Sequence, residues 1–222
     1  MSDEREKRNQ VFGQRPPGID PAIQTQTTYE AVKSDFGIDI PVELVPLPSN
    51  GKVYPQGSPL HGKEFLEIRA MTAREEDILT SRALLKKGTV ITELIKSCLI
   101  DKTIDPSMLI AGDRNALMIA IRITGYGHEY DAEVVCGNDE CEVKATRTFN
   151  LAELPIQRLM IEPVIDGQNL FEFTLPYTKK SVKFRFLTGR DDEEQLVTQE
   201  KQKKLGMRSD NAVTSNLLHS IV

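Results

Sequence analysis

With 222 residues, 39% of them hydrophobic, the chain can build one substantial domain with appendages, or two small ones. Its 28 Lys and Arg against 33 Asp and Glu give a formal charge of -5, which argues against sequence-independent nucleic-acid binding, because such affinity comes largely from neutralising phosphates. No apolar run approaches the roughly 20 residues that a bilayer requires. The charged start MSDEREKRNQ has no apolar signal-type stretch behind it, and the cysteines Cys98, Cys136 and Cys141 are too few for a secreted disulfide framework, so a reducing, cytosolic setting is expected.

Residues 1–40 are densely charged, then carry Pro16, Pro17 and Pro21 and a Gln/Thr-rich stretch from Gln24 to Thr28. This composition predicts an extended or disordered arm. It is either a tail without a role or a segment ordered by a partner.

A core domain is expected over 41–188. The segment VELVPLPSNGKVYP reads as a short extended piece ending in turns at Asn50-Gly51 and Pro55. In EFLEIRAM, the apolar residues Leu66, Ile68 and Ala70 alternate with Glu67 and Arg69, the period of a half-buried strand. Thr72 and Glu75 have capping-box spacing. They predict a helix through Ile78, Leu79, Ala83, Leu84 and Leu85 that stops at Gly88. Thr89 then caps a second helix with Val90, Ile91, Leu94, Ile95 and Cys98 on one face, and Asp105-Pro106 reads as another cap. The most apolar helix, 113–124, is predicted to be the core helix and to close at Gly125.

The period then changes. Tyr130, Ala132, Val134 and Cys136 face Cys141, Val143, Ala145, Arg147 and Phe149 across a predicted hairpin; a second hairpin pairs Phe171, Phe173 and Leu175 with Val182, Phe184 and Phe186. Past Gly189, a C-terminal helical segment (189–222) begins with a polar surface or bridging helix, acidic at its start and basic at its end. A last amphipathic helix carries Val213, Leu217, Leu218 and Ile221 and lacks a stop signal, so the chain reads as either a fragment or one with a terminus buried in an assembly. The fold class is therefore α+β: a central helical cluster followed by antiparallel β-hairpins, with an N-terminal arm and C-terminal helices.

Chemistry is sparse. Cys136 and Cys141, with His128 upstream, resemble one knuckle of a zinc ribbon, but four intervening residues replace the usual two and no second cysteine pair exists. They read as structural hairpin residues. The acids Glu75, Glu76 and Asp77, and those from Asp191 to Glu194, sit in helix first turns where they complement the macrodipole. Cys98 reads as core. His61 and His219 lack a nucleophile partner, and Gly125-Tyr126-Gly127 follows a helix where a phosphate loop opens one. No catalytic, cofactor-binding or metal residue is assigned.

From Leu47 to Phe149, the order LPSNGKVYP, LEIRAMTAREEDIL, a helix pair, GDRNALMIAIRITGYGHEYDAEVVC and a second cysteine resembles the baseplate hub assembly family of T-even-type contractile-tailed bacteriophages; NLAELPI continues the match. The resemblance implies a non-enzymatic tail protein at or near the hub, in the virion or acting in the host cytoplasm during assembly. Its partners would be other baseplate or hub proteins, or copies of itself, and not a membrane. A small zinc-ribbon module acting on nucleic acid is the alternative reading. The cysteine spacing departs from the CxxC expected of the family.

Overall fold

The computed structural model describes residues 31–33, 39–136, 143–204 and 212–222. Most of the expected arm, and Cys141, lie outside them. Strand β1 (Ala31–Lys33) pairs antiparallel with β2 (Asp39–Pro46), which pairs antiparallel with β3 (Phe65–Arg69). The alternation in β3 is realised: Leu66 and Ile68 point into the core while Phe65 and Glu67 are exposed. Between β2 and β3 the chain makes successive turns that bury Val53, Tyr54 and Leu60. Asn50 and Gly51 both take positive φ, and a Cβ on Gly51 would lie 2.4 Å from Lys63 N, so only glycine fits there.

The predicted first helix is two helices, α1 (Ala73–Thr80) and α2 (Arg82–Lys87). Ser81 separates them with ψ 108, and its carbonyl accepts the Leu85 N–H at 3.0 Å to start α2. Thr80 and Ser81 are weaker helix formers than the residues around them, and serine favours the N-cap. Gly88 ends α2 in the left-handed conformation, as its position predicts.

Helix α3 (Val90–Cys98) buries Val90, Leu94, Ile95 and Cys98, after which Leu99 returns to the sheet and bridges Ile68. Asp105 caps a single 3-10 turn, Pro106–Met108. The core helix α4 (Ala111–Tyr126) packs on β2 and α3. It is longer than predicted: Gly125 lies inside its last turn, where a Cβ would meet Met71 Sδ at 2.9 Å, and Gly127 is the cap. Gly125 thus serves close packing, not termination.

Strands β4 (Glu129–Val135) and β5 (Lys144–Asn150) form the first predicted hairpin, with Tyr130 opposite Phe149 and Val134 opposite Ala145. Strands β6 (Phe171–Thr174) and β7 (Ser181–Phe184) form the second, with Phe171 opposite Phe184. Only Phe171 of β6 is buried; its ring stacks on Phe184 at 5.6 Å and meets Phe186 edge-on at 4.9 Å. Helices α5 (Gly189–Lys204) and α6 (Ala212–Ser220) complete the α+β fold.

Candidate interaction surface

Three buried polar clusters hold the framework. At the first turn of α4, Asp113 accepts from Ser49 N at 2.9 Å, Ser49 Oγ at 2.6 Å and Tyr54 Oη at 2.6 Å. Tyr54 Oη in turn accepts the Ile110 N–H at 3.1 Å, so the loop after β2 is tied to the entry of the core helix. Burial raises the Asp113 pKa against the pull of these donors, and burial with the neighbouring carboxylate raises that of Tyr54.

Glu75 is fully buried, so it does more than complement the helix macrodipole as the sequence reading expects of the Glu75–Asp77 run. Glu76 and Asp77 are exposed as expected. The Glu75 carboxylate accepts from both Arg69 amino groups at 2.5 and 3.2 Å, from Thr72 N at 2.9 Å and Thr72 Oγ at 2.6 Å, and from Ser97 Oγ on α3. Burial alone would raise its pKa; the donors override it and hold the carboxyl at about 2. Asp191 is built alike. It accepts from Arg185 at 2.6 and 2.8 Å and from Thr188 N and Oγ, both at 2.7 Å, and these bonds outweigh burial to hold it at about 2. Each acid is spent on anchoring a strand end to a helix start, in the geometry of a bidentate, charge-assisted pair.

The other residues singled out from the sequence do not converge. His61 Nδ1 lies 2.7 Å from Tyr54 O, while His128 and His219 are exposed. Cys98 is buried on α3, and burial, then the Glu75 charge, pushes its thiol up to about 11. Cys136 is exposed, with its N–H on Val143 O at 2.9 Å. Among the described residues no group of three His, Cys, Asp or Glu is placed to hold a metal, and no helix is long and apolar enough to cross a membrane. The zinc-ribbon alternative gains nothing from this arrangement.

What the framework displays is apolar. On hairpin β4–β5, Tyr130, Val134 and Phe149 share one face as predicted and are exposed, as is Val135 on the other. Among the described residues its strands pair only with each other, and nearly all of their residues are exposed. Its base is fixed by Arg122 on α4, whose guanidinium lies 4.8 Å from the Tyr126 ring and 5.9 Å from the Tyr130 ring and donates to Gly127 O at 3.2 Å. The exposed Tyr130, Val134 and Phe149 share one face of the hairpin with Ala132, Ala145 and Arg147. Periodicity alone could not have shown their exposure, since alternation looks the same whether the inward face meets this core or another chain.

No curated protein and no solved structure matches the chain. The family model described as T4 bacteriophage base plate protein matches residues 42–169, more than half of the chain, from β2 through the loop that precedes β6. That span holds the Asp113 and Glu75 clusters and the projecting hairpin, and through it the chain belongs to the T4 bacteriophage base plate protein family, as a structural protein of the virion tail.

Proposed function

We propose that the chain acts at or near the baseplate hub, as a non-catalytic subunit or assembly factor working through protein–protein contacts with other baseplate or hub proteins. The observation that carries this reading is the exposed apolar face of hairpin β4–β5, with Tyr130, Val134 and Phe149 presented from a base pinned by Arg122. The resemblance of the Leu47 to Phe149 segment to hub assembly proteins supports the position. The buried acids support the non-catalytic character, because Glu75 and Asp191 each spend their oxygens on an arginine and a threonine.

The test is complementation of a phage lacking the gene with the Tyr130→Asp, Val134→Asp double variant. Accumulation of baseplate intermediates without the central hub, seen by electron microscopy, is the expected result. Wild-type particle yield would overturn the contact reading, and intermediates with a complete hub but missing peripheral parts would overturn the position. Mass spectrometry of purified wild-type particles separates a retained subunit from a factor that leaves.

A further inference from the structure

The chain contains the same supersecondary unit twice. Arg69, Thr72, Arg74 and the acids at 75–77 recur as Arg185, Thr188, Arg190 and the acids at 191–193, each shifted by 116 positions. Strand β3 precedes α1 as β7 precedes α5, with helix starts at Ala73 and Gly189 that keep this shift. The acid clamps described above are therefore the same device used twice.

The backbone repeats as well. Val45 pairs with Leu66, and Phe173 with Val182; Leu47 N donates to Glu64 O at 2.8 Å, and Leu175 N to Lys180 O at 2.9 Å. After the helices the chain returns to the second strand in the same way. Leu99 bridges Ile68 while Ile100 N donates to Glu67 O at 3.0 Å; Ile221 bridges Phe184 while Val222 N donates to Lys183 O at 3.0 Å. Helices α3 and α6, nine residues each, precede these bridges.

The two units differ in what covers them. In the first, α4 packs on β2 and α3, and the longer hairpin loop adds Val53, Tyr54 and Leu60 to the same core. There Val45, Leu47, Ile95 and Leu99 are 2%, 1%, 0% and 1% exposed. Their counterparts Phe173, Leu175, Leu217 and Ile221 are also large and apolar, and they are 55%, 36%, 57% and 53% exposed. The hairpin of the second unit has a short connection, and α4 has no counterpart among the described residues. Asn216 stands in the second unit where the first has Leu94.

We propose that the second unit docks an amphipathic α-helix from another polypeptide, laid over Phe173, Leu175, Leu217 and Ile221 as α4 closes the core that contains Val45, Leu47, Ile95 and Leu99. The occupant carries small and aliphatic residues at helical spacing, like Leu117, Ala120 and Ile121 on the buried face of α4. It needs no acid at the position of Asp113, because the loop that supplies Ser49 and Tyr54 in the first unit is absent from the second. A second copy of this chain is a poor donor, since its own α4 is already buried in its first unit. The surface is a property of the second unit and does not depend on a position at the hub.

The probe is a labelled synthetic peptide of residues 109–127 with a lysine tail, titrated into the full chain by fluorescence anisotropy. Saturable binding is expected, weakened on the order of 10-fold or more by Leu217→Asp or Phe173→Asp, as for loss of a central apolar anchor. Val134→Asp, on the other exposed apolar surface, should leave it unchanged. Bound peptide should slow amide exchange at 171–175 and 216–222. If Leu217→Asp loses α6 by circular dichroism, Phe173→Ser carries the same test. The proposal is overturned by absence of saturable binding, by equal loss with Val134→Asp, or by exchange protection confined to the first unit, which would mean the peptide had displaced α4. It is also overturned if sedimentation shows a dimer that Leu217→Asp dissociates and the peptide does not, if binding appears only when residues 1–30 are deleted, or if the intact mass of the protein from infected cells shows further residues after Val222 whose presence blocks the peptide; those outcomes assign the face to a second copy or to another segment of the same chain.

Discussion

Tyr54 Oη donates to Asp113 Oδ2 at 2.6 Å across 59 positions of sequence, and the same oxygen accepts the Ile110 N–H at the start of the core helix. Tyr54→Phe deletes both bonds without changing the ring and leaves a buried amide and a buried carboxylate short of a partner. The expected cost is about 1–3 kcal/mol in urea unfolding. The folded-state pKa of Asp113 is raised by burial, so the folded protein holds this proton more tightly than the unfolded chain. The group therefore favours folding below its unfolded pKa, and that contribution is lost as pH rises through the folded value. Asp113→Asn should flatten this component of the stability profile.

Glu75 and Asp191 act in the opposite sense. Both are held at about 2, below the ordinary carboxylate values of 4.5 and 3.8, so their contribution is present above the unfolded pKa and is lost as pH falls through about 2. Acid unfolding should steepen below about pH 4.5, and Glu75→Gln should remove part of that slope. Glu75→Ala takes away the carboxylate that pairs with the Arg69 guanidinium, leaving it Ala70 O and Ser97 Oγ, and should cost about 3–5 kcal/mol, measured at neutral pH.

Thr72→Ala should destabilise the protein by about 1 kcal/mol through its cap. Because Thr72 Oγ also donates to Glu75 at 2.6 Å, its effect should shrink in a Glu75→Gln background, a coupling that a double-mutant cycle reads directly.

Gly189 opens α5 where the Arg114 side chain crosses it; a Cβ there would lie 2.0 Å from Arg114 Nη1 and 3.2 Å from Pro106 O. Gly189→Ala should therefore destabilise by about 1–3 kcal/mol despite alanine's better helix propensity, since packed elements must shift to admit it. A rise in melting temperature would show that the contact yields.

Thiol reactivity should split by position. Cys136 is exposed and should react with a maleimide in the native protein, whereas Cys98, buried and pushed up to about 11, should label only on unfolding. Mass mapping of the labelled peptides distinguishes them.

Local structure was legible because its causes are local. The alternation of Leu66 and Ile68, the Thr72–Glu75 spacing, the stop at Gly88 and the existence of the hairpin through Tyr130 and Phe149 all follow from neighbours within a few residues. The recurrence of Arg-x-x-Thr-x-Arg followed by three acids was also legible, to a comparison of the sequence with itself. Tertiary structure alone decided which of these residues meet water. Glu75 is buried because Arg69 and Ser97 arrive from a strand and another helix; Asp113 because Ser49 stands 64 positions away. Val45 and Phe173 occupy the same place in the same unit, and one is core while the other is surface. Burial is set by what packs above a residue, and the helix that covers Val45 comes from a distant part of the chain that local sequence pattern does not encode.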